Sequence, residues 1–263
     1  MRDRELKLIR SRDNPRFKML RQLATSTRER RQAGLALLDG INLIEAYRAS
    51  GGVPEQLILS ESAAGKAETT RLAAGVEAQA LLVLADKLFG DVAQVATPTG
   101  IVALIRTPSP GPLPQRIEYC VMLENIQDAG NLGSILRSSA AAGIRTVLLS
   151  PGCAFAWSSK VLRAGMGAHF SLDIFDNADL AAAAQRLSGR LICTSGYARK
   201  SLFQADLRGP LAWVFGNEGS GVSTELIAAA AEQLRIPMPG KTESLNVAAA
   251  AAICLFEQVR QRT

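Results

Sequence analysis

A proline-rich segment near the middle of the chain divides it into two parts. Residues 107–115 read TPSPGPLPQ, with four prolines in nine positions. Proline fixes φ, lacks a backbone donor and holds the preceding residue extended, so neither a helix nor an inner strand is expected to pass through this segment. The alternation of apolar and helical stretches resumes after it, which favours a linker over a long surface loop. We therefore expect an N-terminal domain over 1–106, a linker over 107–115 and a C-terminal domain over 116–263.

Both parts show the pattern of an α/β fold. Short apolar runs, predicted as strands, such as LALLD at 35–39, QLILS at 56–60 and YCVMLEN at 119–125, alternate with stretches of helical periodicity. In the second part these runs are apolar throughout, which predicts a buried, largely parallel sheet. Residues 1–31 are predicted to be helical, with Pro15 interrupting the helix.

The positive charge of the chain is concentrated at its N-terminus. Residues 1–31 hold eleven Lys and Arg against four Asp and Glu, a net charge of +7, whereas the whole chain carries +6 and the remainder therefore sums to −1. A basic segment on a near-neutral protein suits a polyanionic partner such as RNA. The charge alone is equally compatible with a solvated helix face.

The composition argues against several other classes of protein. The four cysteines are widely spaced without a C-x-x-C pair, and there is one histidine, so we expect free thiols in a reducing compartment and no metal site. No apolar run approaches the roughly 20 residues that a membrane span needs, and the charged N-terminus is unlike a signal peptide. We expect a soluble, cytoplasmic protein, in which the lone His169 is structural or interfacial rather than catalytic.

Segments rich in glycine and asparagine follow the predicted strands, at the sheet edge where open α/β folds bind ligands. The first, NIQDAGNLGSILR at 125–137, places Asn131 to cap a helix that carries Arg137. The second, FGNEGSGVS at 215–223, has Val222 where a phosphate loop needs lysine, and its glycine spacing is not that of a dinucleotide fingerprint. Taken singly, each also fits a structural turn between a strand and a helix.

A third segment of this kind lies near the C-terminus. It reads IPMPGKTESLNV at 236–247 and combines a rigid proline turn with small polar residues. It overlaps a strand predicted over 234–239 and leads into a final helix predicted from about Ser244. A phosphate loop is excluded because Arg235 stands where that motif needs glycine.

Together the three segments resemble the motifs of the SpoU (TrmH-like) family of RNA 2′-O-ribose methyltransferases, in the SPOUT superfamily. The matching stretches are NLGSILR at 131–137, VFGNEGSG at 214–221 and IPMPGKTESLNVA at 236–248, in family order. The resemblance implies a C-terminal catalytic domain with a trefoil knot, although knots are otherwise nearly absent from proteins. It also implies S-adenosyl-L-methionine as methyl donor, RNA as substrate and a homodimer formed through the catalytic domain. The N-terminal part resembles, in architecture alone, the smaller α/β L30e-like RNA-binding domain of many members.

The resemblance also assigns roles to individual residues. Arg137 matches the family's catalytic arginine; because a guanidinium stays protonated, we expect it to hold a phosphate and stabilise the developing alkoxide rather than act as a base. Glu218 is the next candidate for accepting the proton, and the identity of the general base stays open at this point. The matched catalytic-motif positions are Arg137, Asn131, Glu218, Ser244 and Asn246. The matched cofactor-binding positions are Thr194, Gly216, Ile236 and Leu245, with Gly216 leaving room for adenosine and the two aliphatic residues facing the adenine.

The identity of the RNA stays open at this point. A separate N-terminal domain suits a structured ribosomal element, so 23S rRNA is favoured over tRNA. The alternatives are a tRNA 2′-O-methyltransferase and a non-catalytic RNA-binding homologue. A degenerate homologue would be expected to lose Arg137 or the motif glycines, and this chain keeps both.

Overall fold

A computed structural model describes residues 8–95 and 97–263, and the chain divides into two units. The first unit comprises the residues up to Pro108 together with Trp157–Arg163, and the second comprises Ser109–Ala156 and Ala164–Thr263. The main division therefore falls inside the proline-rich segment. Residues 107–115 form neither helix nor strand.

The first unit is built on a five-stranded mixed sheet with strand order β1-β4-β3-β5-β2. In chain order its helices and strands are β1 (Leu8–Ile9), α1 (Pro15–Thr25), α2 (Thr27–Ala33), β2 (Leu35–Asp39), α3 (Ile41–Ala49), β3 (Gln56–Ser60), α4 (Ala67–Ala73), β4 (Leu81–Leu84), α5 (Asp86–Val92) and β5 (Ile101–Arg106). Strand β4 runs parallel to β1 and β3, whereas β5 runs antiparallel to β3 and β2. The α/β alternation predicted for this part is present.

The structure corrects the prediction for the basic N-terminal segment, of which residues 1–7 lie outside the described part. Pro15 does not interrupt a helix but begins α1, where its missing N–H costs nothing. The Asn14 side chain caps this helix by accepting from the backbone N–H of Arg16 at 3.0 Å. Phe17 and Leu20 are fully buried in the core of the unit. The described residues of this segment are therefore part of the folded unit.

A buried arginine holds the corner between α1 and α2. Arg30 is buried, and its Nη1 donates to the carbonyl oxygens of Leu23 and Ala24, at the end of α1 where helical carbonyls lack partners. Its Nη2 donates to the hydroxyl of Thr27 at 3.0 Å. Burial lowers the pKa of this guanidinium. Arg30 thus supports the fold, whereas Arg28 is exposed.

The second unit is built on a seven-stranded sheet with strand order β10-β12-β9-β11-β6-β7-β8, in which every ladder is parallel. Residues 119–263 contain, in chain order, β6 (Tyr119–Leu123), α6 (Ala129–Ala141), β7 (Thr146–Leu149), α7 (Ser159–Gly165), β8 (Asp173–Phe175), α8 (Leu180–Ala184), β9 (Arg190–Thr194), β10 (Lys200–Ser201), β11 (Leu211–Phe215), α9 (Thr224–Ala229), β12 (Glu232–Arg235) and α10 (Val247–Arg262). The buried parallel sheet predicted from the apolar runs is confirmed. The short strands β8 and β10 were not predicted.

Two predicted boundaries near the C-terminus were wrong. The strand predicted over 234–239 is β12, which ends at Arg235, because Pro237 and Pro239 cannot donate to a ladder. The final helix begins at Val247 rather than Ser244. Residues 236–246 are consequently a loop between the sheet edge and α10.

The single histidine lies inside the second unit. His169 is buried, and its Nε2 lies 2.9 Å from the carbonyl oxygen of Ala156. Burial lowers the pKa of His169 to about 4, so the ring is neutral near pH 7. A Cβ on Gly165 would lie 2.6 Å from Cε1 of this ring, so glycine there makes space for it. These contacts fit the predicted structural role.

The four cysteines are free and buried. Burial raises the pKa of the Cys120 thiol to about 12, and burial also raises the pKa of Cys254. Among the described residues, no cluster of His, Cys, Asp and Glu has the size to hold a metal ion. Across 8–95 and 97–263, no helix is both long enough and apolar enough to cross a membrane.

Candidate active site

The three motif segments leave the sheet at one edge. Strands β12, β9, β11 and β6 are consecutive neighbours and run parallel, so their carboxyl ends lie side by side. The chain leaves β6 toward α6, leaves β11 at Gly216, and leaves β12 at Ile236. Thr194 ends β9 between them. Segments far apart in sequence are thereby brought to the same edge.

The first motif begins with a helix cap that the sequence prediction misassigned. Asp128, not Asn131, is the N-cap of α6, and its Oδ1 accepts from the backbone N–H of Asn131 at 2.8 Å. A carboxylate suits this position because the helix N-terminus has free N–H groups and a partial positive charge. Asn131 instead lies in the first turn of α6, and its side-chain amide is available to other residues.

A chain of hydrogen bonds joins residues of all three motifs. Nδ2 of Asn246 donates to Oδ1 of Asn131 at 2.9 Å, and Nδ2 of Asn131 donates to Oε1 of Glu218. Oδ1 of Asn246 in turn caps α10 by accepting from Ala248 and Ala249 at 3.0 and 3.3 Å.

The cap of α10 sets the direction of this chain. An oxygen that accepts backbone N–H groups leaves only the amide nitrogen of Asn246 to face Asn131, whose own nitrogen then faces the carboxylate. Nδ2 of Asn131 is thus the donor that faces the Glu218 carboxylate. Through these hydrogen bonds, the position of that carboxylate depends on the first turns of α6 and α10.

The glycine-rich segment after β11 is a tight, internally bonded loop. Oδ1 of Asn217 accepts from the backbone of Gly219 and Ser220 at 2.8 and 3.2 Å, and the Asn217 carbonyl accepts from Gly221 at 2.8 Å. Nδ2 of Asn217 donates to the carbonyl of Asn125, which ties this loop to the first motif. Gly221 has a φ of +70°, a conformation that favours glycine.

The glycine at position 216 is required by the loop itself. A Cβ there would lie 2.1 Å from the carbonyl oxygen of Gly221 and 2.4 Å from the nitrogen of Val222. The resemblance explained this glycine by space for adenosine, but the space beside its Cα is filled by the protein's own backbone. The packing of the loop is thus by itself a reason for glycine at position 216, and the cofactor contact expected of Gly216 stays a prediction.

A pocket of about 150 Å³ lies beside these loops. It contains four of the matched positions, Thr194, Ile236, Ser244 and Leu245, and Gly216 does not line it. The remaining lining residues are Ser195, Gly196, Met238, Glu243 and Ala250. One part of the lining is aliphatic or thioether and the other carries hydroxyl groups and a carboxylate, so the pocket suits a ligand with an apolar ring system and polar substituents.

Arg137 belongs to neither the hydrogen-bonded chain nor the pocket lining. It is exposed on α6, and within the described residues it makes no hydrogen bond or ion pair. Ser244 lines the pocket but does not join the hydrogen-bonded chain. The guanidinium of Arg137 thus has its five donors available to an anionic ligand.

Sequence reasoning missed several residues that build this edge. Asp128 stands three residues before Asn131, the spacing of a capping side chain and its N3 amide, and that signal was present in the sequence. Asn217 was not singled out, and neither was Glu124, whose Oε2 accepts from the backbone of Ser223 at 2.7 Å. The bond from Asn217 to Asn125 and the bond from Ser223 to Glu124 depend on the tertiary fold and had no local signal, whereas the Asx turn of Asn217 is a local pattern.

Comparison with known proteins identifies the family. Residues 118–256 match the model of the SpoU rRNA Methylase family, and residues 14–103 match an MRM3-like substrate binding domain. The chain is 32% identical to an uncharacterized tRNA/rRNA methyltransferase of Synechocystis sp., covering 97% of this chain and 94% of the relative. It is 29% identical to the 23S rRNA (guanosine(2553)-2′-O)-methyltransferase RlmP of Bacillus subtilis, covering 95% and 98%.

A solved structure agrees with this match over nearly the whole chain. The crystal structure of an AdoMet-bound rRNA methyltransferase from Sinorhizobium meliloti superposes with a TM-score of 0.82 at 27% identity, covering 97% of each chain. The motif residues, the parallel sheet and these matches agree with one another. This chain belongs to the SpoU rRNA Methylase family.

Proposed function

We propose that this protein is an enzyme that transfers a methyl group from S-adenosyl-L-methionine to a ribose 2′-hydroxyl of structured RNA, with 23S rRNA as the substrate. The observation that carries the proposal is the meeting of the three motifs at one sheet edge, beside a pocket of suitable chemistry. The B. subtilis relative is named as a 23S rRNA 2′-O-methyltransferase, and the S. meliloti structure holds AdoMet.

The residues of the pocket fit this cofactor. Ile236, Leu245 and Met238 offer apolar surface to an adenine ring, and Thr194 and Ser195 offer hydroxyl groups to its polar substituents. When bound, the cofactor supplies a methyl group activated by a sulfonium. The protein's task is then to position the ribose oxygen, accept its proton and stabilise the charge that develops on it.

Glu218 and Arg137 divide these tasks in our proposal. Glu218 accepts the proton of the 2′-hydroxyl, and the amide chain from Asn246 through Asn131 holds its carboxylate in place. Arg137, always protonated, binds the neighbouring phosphate and stabilises the developing alkoxide. Its lack of a protein partner among the described residues supports a role toward the RNA.

The architecture proposed from the family resemblance goes further than the α/β fold. We propose that the C-terminal domain, residues 116–263, contains the trefoil knot, and that residues 1–106 are an L30e-like RNA-binding domain joined by the linker at 107–115. The agreement with SpoU structures supports the first, and the match of residues 14–103 to a substrate binding domain supports the second.

We also propose a homodimer in the cytoplasm that pairs through α10. Ala249 and Phe256 lie seven residues apart on one face of this helix and are both exposed, Phe256 by 48%. Small and aromatic residues on one exposed face permit close packing of two helices. The proposed site of action, bacterial 23S rRNA, supports the location.

RNA from a strain that lacks the protein tests the function. Purified protein and tritium-labelled S-adenosylmethionine are added to 23S rRNA and to the tRNA fraction from this strain, and to the same RNAs from the parent strain. We expect transfer to the mutant's 23S rRNA and none to the parent's, because that site is already methylated. Transfer to tRNA alone would contradict the proposed substrate. The absence of transfer to any RNA would favour a non-catalytic homologue.

A further inference from the structure

A fully exposed tyrosine projects from a turn that borders the pocket. Tyr197 is 99% exposed. The turn that carries it is held by Ser195, whose carbonyl accepts from Ala198 and whose hydroxyl accepts from the backbone of Tyr197, both at 3.2 Å. The hydrogen-bonded turn limits the conformational entropy that this ring would lose when a ligand covers it.

The turn is fastened to the loop that lines the pocket. The backbone N–H of Ser195 donates to the carbonyl of Leu234 at 3.0 Å, one residue before the end of β12 and two before Ile236. Ser195 and Gly196 line the pocket, whereas Tyr197 does not. The tyrosine therefore stands beside the pocket without forming part of its wall.

The charges around this turn are unequal. Lys200 forms an ion pair with Glu232 at 2.7 Å, and the same carboxylate binds Arg190 at 2.6 Å, so this cluster carries a net charge of +1. Arg199 and Arg235 are exposed, and neither makes an ion pair with another described residue. Arg235 directly precedes Ile236 of the pocket. An exposed aromatic ring therefore lies close in sequence to Arg199, a guanidinium that forms no ion pair within residues 8–95 and 97–263.

We infer that Tyr197 is a stacking platform for an unpaired RNA base next to the methylated ribose, and that Arg199 binds an adjoining phosphate. The inference rests on the proposed function, which it deepens: the substrate nucleotide lies in a loop or bulge, or is turned out of a helix. Bases inside an RNA duplex are already stacked and present no free face, whereas unpaired bases stack readily on aromatic side chains.

The test measures binding of a short single-stranded oligoribonucleotide that carries 2-aminopurine, whose fluorescence is quenched by stacking. Replacing Tyr197 by Ala or Leu should weaken binding by about 10-fold or more and remove the quenching, because base stacking on an aromatic ring is lost. Tyr197→Trp should retain both. Phe203→Ala, which removes a half-exposed aromatic side chain beyond β10, is the matched control and should behave as wild type.

Salt dependence separates the two residues. Arg199→Gln should reduce the slope of log K against log salt by about 0.7, the value for one phosphate contact on a single strand, while Tyr197→Ala should leave the slope unchanged. S-adenosylmethionine affinity should be unchanged in every variant. A loss of cofactor affinity in Tyr197→Ala would overturn the inference in favour of a lid over the cofactor.

Binding of the oligonucleotide requires no methyl transfer, so the two proposals fail separately. Unaltered binding and quenching in Tyr197→Ala would overturn the stacking role even if the enzyme is active. A wild-type protein that binds and quenches the probe but methylates no RNA would overturn the proposed function instead.

Discussion

Replacing Gly216 by alanine isolates the packing of the glycine-rich loop. The added Cβ would meet three backbone atoms, the carbonyl oxygen and carbon of Gly221 at 2.1 and 2.2 Å and the nitrogen of Val222 at 2.4 Å. Non-bonded heavy atoms are comfortable at about 3.5 Å, so the two sides of the loop must separate by roughly 1 Å or more. Position 216 does not have a positive φ, so the effect is one of contact and not of backbone strain.

Two consequences are expected, of different size. Overpacking of this kind costs about 1–3 kcal/mol, which corresponds to a fall of roughly 2–10 °C in Tm for a protein of this size. The movement also carries Glu218, two residues along the loop, away from Asn131. A misplacement of about 1 Å in a catalytic group can lower the rate on the order of 10²-fold. Activity should therefore fall much more than stability.

Gly219→Ala is the matched control in the same loop. A Cβ at position 219 would meet its nearest atom, Oδ1 of Asn217, at 3.4 Å, which is an ordinary contact. Thermal unfolding and single-turnover methyl transfer are measured for both variants. Equal Tm values and equal rates in Gly216→Ala and Gly219→Ala would refute the reasoning from loop packing.

Three further perturbations test other parts of the structure. The pKa of buried His169 is about 4 instead of 6.5, so, as the pH falls, the imidazole is protonated in the unfolded state before it is protonated in the folded state. The free energy of unfolding should then fall by up to about 3 kcal/mol as the pH drops from about 6.5 to 4. Urea unfolding of His169→Gln should not show this fall. Parallel pH profiles for the wild type and the variant would contradict the burial of a neutral ring. The double variant Arg28→Glu, Arg31→Glu should weaken RNA binding and reduce the slope of log K against log salt by about 0.7–0.9 per lost phosphate contact. Arg30 is left intact because it supports the fold. An unaltered slope would mean that this surface does not contact RNA phosphates. Ala249→Trp should weaken dimerisation in sedimentation and lower activity, and a fully active wild-type monomer would exclude the proposed dimer.

The alternating pattern predicted most of the fold because its strands are short apolar runs with polar neighbours. Strands β2 and β3 have their predicted bounds, and β6 begins at the predicted residue but ends at Leu123, two residues early. The pattern failed at β12, where only Leu234 is buried and the more apolar stretch that follows it is broken by prolines. It also failed at Pro15, because proline disrupts the interior of a helix but is favoured at its first position.

The candidate site was predictable in its residues but not in its connections. Asn131, Glu218 and Asn246 were identified by motif, yet their hydrogen bonds span 87 and 115 residues of sequence. Only the order of the parallel strands brings them together. The reason for glycine at position 216 was also hidden, because it depends on where the carbonyl of Gly221 lies in the folded loop.

The most direct test of the account is the chemical position of the methyl group and its dependence on Arg137. Wild-type protein, Arg137→Ala and Arg137→Lys are incubated with S-adenosylmethionine and 23S rRNA from the deletion strain, and the digested nucleosides are identified by mass spectrometry. Arg145→Ala serves as the control, since this exposed arginine precedes β7 at the opposite edge of the sheet.

We expect one 2′-O-methylnucleoside from the wild type and from Arg145→Ala. Arg137→Ala should lose on the order of 10²-fold or more in single-turnover rate while it binds S-adenosylmethionine normally, because the guanidinium acts on the ribose-phosphate side. Arg137→Lys should fall between them, since it keeps the charge but not the fork of donors. A methyl group on a base, or a near-wild-type rate for Arg137→Ala, would contradict the account.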